Sequence, residues 1–356
     1  MNMNNKKEMT EDSTILYGVP QVGYSACGVT PFPMCLKACA NYLGQDVSYD
    51  YTMAASGSGF RLIWDTTCWN GGNVDVIFTY DHPAEIFRLG SNSLGWKYNL
   101  LGRDKKSKKE DFTKFITEQL DKGLPCIALG IIGPPEACII TGYRNNGEVL
   151  IGWNFFQDNP EFGGSVTIDA SGYFVTDSWW ENPDTVAVMS VGEENEQSFT
   201  AKDVIKNGIS ALEGRKKGKY AKGISAYDAW AKAVSDDSQF PENAIIPILT
   251  ERLMCQADAM DCLLDGRHNT SKYLEHTFGP DSSHHTTAKF IIDDFNRIVG
   301  NIQKMANLLG GWERNETQMK NFAKKEIREQ IVTLINDSKS ADMRALENLK
   351  MLYNNM

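Results

Sequence analysis

The stretch Gly133–Asp158, GPPEACIITGYRNNGEVLIGWNFFQD, carries the pattern that decides the fold. Ala137–Tyr143 is a short apolar run, Arg144-Asn145-Asn146-Gly147 ends in the Asn-Gly pair of a tight turn, and Glu148–Phe155 is a second apolar run. This β-hairpin brings Glu136 in at one end and carries Trp153-Asn154 out at the other. Strand patterns recur outward from it at Val74–Tyr80, Pro125–Ile132, Gly164–Ile168 and Thr185–Val191. Between them, Phe112, Phe115, Ile116 and Leu120 fall at helical spacing, so Lys108–Lys122 reads as a helix stopped by Gly123. The first half of the chain is therefore expected to be an α+β domain with an antiparallel sheet.

Upstream, Cys27–Gly44 reads CGVTPFPMCLKACANYLG and predicts a helix that begins near Pro33 and stops before Gly44. A thiol at such a helix start meets unpaired N–H groups and the positive end of the helix dipole, which favour the thiolate. Between helix and hairpin, Ser56–Trp64 (SGSGFRLIW) is a glycine-rich turn followed by an aromatic strand. A tight structural turn with no ligand is the commoner use of such glycines. The order of these three segments resembles the papain-like cysteine hydrolase core. It is similar to bacteriocin-processing peptidases and to the acyltransferase family typified by the N-terminal domain of butirosin biosynthesis protein H.

The resemblance spans roughly residues 20 to 190. It implies a papain-like fold, cysteine chemistry on an amide or thioester, and a histidine opening the run that ends in Gly142-Tyr143. Glu136 stands at that histidine's place. Counting back from Leu43-Gly44 puts the nucleophile's place at Pro31, which cannot attack. The nearest thiols are Cys27, which reaches the site if the Gly28–Pro33 loop is rearranged, and Cys35, one turn inside the helix. Both departures argue against a standard Cys-His peptidase.

With 356 residues the chain is expected to form two domains, and 42% hydrophobic with 23% charged residues excludes disorder or a fibrous fold. A net charge of −10 argues against nucleic acid and anionic membranes as partners. The N-terminal MNMNNKKEMTEDSTILYG has no secretory apolar core, and no apolar run reaches the ~18 residues of a membrane helix, so a cytoplasmic location is expected. The eight cysteines show no zinc spacing, and most are expected as small buried hydrophobes.

Composition shifts after Met189, where GEENEQS (Gly192–Ser198) reads as a linker. The expected organisation is a polar N-terminal tail over 1–19, a papain-like α+β domain over 20–191, a linker over 192–199 and an all-α helical bundle domain over 200–356. Thr200-Ala201-Lys202-Asp203 has the form of a capping box, and helical patterns follow at Tyr227–Val234, Ala244–Leu264, Ser283–Leu309 and Glu316–Asn354, with breaks at Gly266, Gly279-Pro280 and Gly310-Gly311. His284-His285 cannot readily share one metal ion, because adjacent helical side chains diverge. Arg215–Lys222 (RKKGKYAK) is basic enough to hold a phosphate or an acyl-carrier protein, though a solvated loop is the plainer expectation.

Tryptophans with polar neighbours point to an aromatic cleft in the first domain. Two functions follow. In the first, Cys27 attacks an amide or thioester, with Glu136 as base or as a substrate-ammonium anchor and Asn154 or Gln157 as orienting or oxyanion-stabilising groups. Trp64, Trp69, Asn70, Cys138, Trp153 and Gln157 would then bind a small-molecule or peptide substrate. In the second, the fold has lost its chemistry and the cleft binds an amine or peptide with Glu136 as counterion. Neither function needs a cofactor or a metal.

Overall fold

The computed structural model describes residues 6–25, 28–162, 166–214, 217–241 and 245–356. Its first half runs β1 (Lys6–Met9), β2 (Thr14–Tyr17), α1 (Pro31–Tyr42), α2 (Tyr49–Ser56), β3 (Ile63–Asp65), α3 (Glu85–Ser93), β4 (Leu100–Gly102), α4 (Lys109–Asp121) and β5 (Cys126–Leu129). The strands β6 (Ala137–Arg144), β7 (Val149–Trp153), β8 (Thr167–Ile168), β9 (Phe174–Thr176) and β10 (Ala187–Ser190) follow. The remainder is α5 (Ala201–Leu212), β11 (Tyr220–Lys222), α6 (Ile224–Ser235), α7 (Ile246–Thr277), α8 (His285–Leu309), α9 (Glu316–Ala323) and α10 (Lys325–Asn355). Long-range contacts divide the chain into two units, Met1–Thr52 with Gly90–Phe199 and Met53–Leu89 with Thr200–Met356. The segment 53–89, expected inside the first domain, thus belongs with the helical half.

In the first unit the nine-stranded antiparallel sheet has the order β4-β10-β5-β6-β7-β9-β8, with β2 joined to β6 and β1 to β2. The expected hairpin is β6-β7, and its connection turns because Asn145, Asn146 and Gly147 all adopt positive φ. One edge of β6 is shared: β5 pairs with Ala137–Ile140, and β2 pairs with Gly142 and Tyr143. A side chain at position 142 would put Cβ 2.8 Å from the Thr14 carbonyl, so glycine is what lets β2 approach. Residues 6–17, expected as a polar tail, are therefore part of the sheet. The β-prone Thr14-Ile15-Leu16 is fully or nearly fully buried there. Helix α1 packs against β6 through a buried face that includes Cys35, Leu36 and Cys39.

In the second unit β3 pairs with β11 in a two-stranded sheet, while α8 and α10 pack along each other and α7 packs on α8. Val74–Tyr80, expected as a strand, holds a 3-10 turn at Val76–Phe78 instead. Asn70 and Asp75 side chains accept the Gly72 and Ile77 N–H groups at 2.9 and 3.0 Å, and such local bonds outcompete β propensity. The capping box of Thr200 and Asp203 forms as expected. Helix α7 runs straight through Gly266 rather than breaking there.

The glycine-rich turn has a packing role in this unit. Gly57 takes φ 86°, and Gly59 lies against Gly266 of α7 so closely that a Cβ on Gly266 would sit 2.7 Å from the Gly59 carbonyl. Arg267 donates to the same carbonyl at 2.7 Å and forms a fully buried two-bond pair with Asp342 at 2.6 and 3.0 Å. The Tyr227 hydroxyl donates to Asp342 at 2.7 Å, which gives that carboxylate a third donor and offsets the cost of burying the ions.

Candidate functional site

The chain leaving β5 enters the hairpin through Gly130–Glu136, which contains three positive-φ residues: Gly130 (96°), Ile131 (71°) and Gly133 (68°). For a β-branched residue such as Ile131 this is a strained backbone, and it persists only where the surroundings enforce it. Four braces do so. Thr185 Oγ1 accepts the Ile131 N–H at 3.1 Å and donates to the Trp179 carbonyl at 2.7 Å. Asn182 Nδ2 donates to the Gly133 carbonyl and Asn154 Nδ2 to the Gly130 carbonyl, both at 3.0 Å. The Gly130 N–H returns to the Glu136 carbonyl at 2.9 Å. Glu136 is thereby held at the mouth of β6, half-buried.

Asn154 is itself locked, with its backbone N–H on Gln157 Oε1 at 3.0 Å and its own Oδ1 taking the Phe156 N–H at 2.8 Å. Gln157 Nε2 donates onward to the Gly172 carbonyl at 3.0 Å. Asn154 and Gln157, expected to orient a base or bind substrate, thus brace the loop that carries Glu136. Cys138 is fully buried, donates to the Gly130 carbonyl at 3.5 Å, and burial pushes its thiol up to about 12 despite the Asn154 amide. Burial, with Cys39, Cys138 and the Glu136 carboxylate adding to it, likewise raises the Cys35 thiol well above its ordinary value. Neither supplies a thiolate at neutral pH. Cys27 lies outside the described residues. On either side of it, Ser25 and Gly28 exchange both backbone hydrogen bonds, and Tyr49 accepts the Thr30 N–H at 3.1 Å, fixing the entry to α1.

Beside the loop stands an aromatic cluster that the sequence pattern only half revealed. Half-exposed Tyr24 meets Phe155 and Phe156 with ring centres 4.9 and 6.1 Å away, and Phe156 meets Phe162 at 5.4 Å. Phe162 lies over Gly133, where a Cβ would come within 3.1 Å of the ring. The neighbouring cavity, about 400 Å³, is walled by Ile131, Gly133, Pro134, Phe162, Glu181 and Asp184 among others. Glu136 is not one of its lining residues.

The expected tryptophans are divided between the two units. Trp153 is buried in the first unit, its Nε1 on the Val19 carbonyl at 2.9 Å and its ring against Tyr173. Trp64 and Trp69 belong to the second unit, packed on each other and on Trp230, Phe240 and Phe322. Asn70 there donates to Asp65 at 2.9 Å and to Tyr220 at 3.2 Å. Burial by itself would raise the pKa of Asp65, but Lys219, Thr67 and Asn70 outweigh it and hold the carboxyl well below the usual range. Among the described residues no cluster of three His, Cys, Asp or Glu side chains is placed to hold a metal. Among the described residues no helix is long and apolar enough to cross a membrane. The sequence matches no known family model and no curated protein.

Proposed function

We propose that the first unit is a papain-like binding module for a ligand with a primary amine, an alkylamine or the free end of a peptide. Glu136 serves as counterion, and Tyr24 and Phe155 form the aromatic wall. The observation that carries this reading is the strained, four-fold braced loop that ends in half-buried Glu136 and carries Phe162 of the aromatic cluster over its Gly133, while the described thiols near it are buried and protonated. Carboxylate and ring faces both attract an ammonium, and a preorganised site loses less entropy on binding. A second reading, acyl transfer with Cys27 as nucleophile, is favoured by the packing of α1 against the strand whose mouth carries Glu136.

Thermal-shift titration with alkylamines and short peptides, alongside the same peptides acetylated at the N-terminus, separates the two. Binding is expected for the free amines only. Glu136→Gln should weaken it by about tenfold or more, the worth of one charge-assisted contact, while Cys27→Ser leaves it intact. Equal response of the acetylated peptides, or indifference to Glu136→Gln, sinks the counterion role. Turnover of a thioester that both variants abolish would establish the enzyme instead.

A further inference from the structure

The second unit contains its own polar cavity of about 450 Å³, lined by residues that include Thr79, Asp81, Glu85, Ser210, Glu213 and Lys222. Its buried wall is cationic and its rim is acidic. Lys222, fixed by the pairing of β11 with β3, is almost completely buried, with Nζ donating to the Tyr80 carbonyl at 2.5 Å. The carboxylate paired with it, Asp81, stands 3.9 Å away and is 78% exposed. The Thr79 hydroxyl, in a side chain only 3% exposed, has no partner among the described residues. A buried ammonium without a close counterion and a buried hydroxyl without a hydrogen bond are both costly, and one ligand oxyanion reaching both would relieve both.

The rim restricts what that oxyanion belongs to. Glu213 is half-exposed and paired with Lys350 at 2.9 Å, and Glu85 is bonded twice by Arg88 at 2.5 and 3.0 Å. Two described lysines of the loop preceding Lys222 already have partners. Lys217 donates to the Asp81 carbonyl at 2.7 Å, and Lys219 is 2.8 Å from Asp65. A single buried ammonium balances one negative charge, and with Glu85 and Glu213 already ion-paired, the exposed and loosely paired Asp81 is the carboxylate left to attract an ammonium. We infer that this cavity binds a small zwitterion of the amino-acid class. Its carboxylate meets Lys222 and Thr79, and its ammonium faces Asp81. Burial pulls the Lys222 pKa below its ordinary value, so an incoming carboxylate also restores the favoured charge state of that lysine.

The test is isothermal titration of the full chain with the standard amino acids and 4-aminobutyrate, with acetate, methylamine and inorganic phosphate as single-charge and dianion probes. At least one zwitterion should saturate, with acetate and methylamine much weaker and phosphate silent. Lys222→Met and the near-isosteric Thr79→Val should each weaken the best zwitterion by about tenfold or more. Every titration is made in the Glu136→Gln background, where the amine site of the first unit is disabled, which keeps the outcome separate from that of the proposed function. Lys222→Met removes a buried charge, so if that variant fails to fold, Thr79→Val decides alone. The proposal is overturned if no zwitterion binds, if phosphate binds as tightly as the best zwitterion, or if Thr79→Val leaves the affinity intact.

Discussion

At the scale of single residues, Ile131 shows how much of the candidate site is held by groups far from it in sequence. Its φ of 71° costs about 1–2 kcal/mol in a β-branched residue, and the hydroxyl of Thr185 is what anchors it. Thr185→Val keeps the shape but leaves the buried Ile131 N–H and the Trp179 carbonyl without that partner. The expected loss is about 1–3 kcal/mol in urea denaturation, and Thr185→Ser, which restores the hydroxyl, should recover most of it. Glu136 and Asn154 were legible in the sequence as flanking groups of one hairpin. Their division of labour was not, because it depends on the Gly130 carbonyl, which Asn154 bonds and which no residue pattern announces. The positive φ of Ile131 runs against propensity, so sequence reasoning gave an unbroken strand through Ile132 where β5 stops at Leu129.

Among elements, α7 is the clearest case of a local rule overruled by packing. Glycine weakens a helix by roughly 0.5–1 kcal/mol relative to alanine, and a break at Gly266 follows from that rule. The helix continues because Gly266 meets Gly59 backbone to backbone, a contact open to no other residue. Gly266→Ala should therefore destabilise the protein although it improves helix propensity, since the added carbon meets a carbonyl that cannot move aside. The overlap is worth about 1–3 kcal/mol, which exceeds the propensity gain; a raised midpoint in chemical denaturation would show that the joint yields instead. Where glycines adopt positive φ at a real helix end, as Gly310 (100°) and Gly311 (129°) do after α8, the expected break is present. Backbone conformation, rather than residue type, separates the two cases.

For the whole molecule, the change of composition after Met189 was legible and coincides with a passage between units near residue 200. The passages after Thr52 and Leu89 were not, because β3 and β11 recognise each other across the intervening chain and neither three-residue strand has a pattern of its own. Residues 200–356 expressed alone should thus fail to unfold cooperatively in urea. They lack Trp64, which stacks on Trp230 at 6.0 Å, and Phe60, which packs on Phe295 at 6.1 Å. Adding residues 53–89 as a separate peptide should restore a sharp transition, and a cooperative transition without it would mean the helices form their own core. The interleaving also sets a timetable for synthesis. Residues 53–89 leave the ribosome before the whole of 90–199, yet their partners begin only at residue 200. Until then Phe60, Leu62, Ile63 and Trp64, all buried in the finished protein, are a sticky apolar strip with nothing to cover it. A nascent chain in that condition is prone to aggregate, and the protein's yield in a cell should depend on how quickly residues 200–356 are translated.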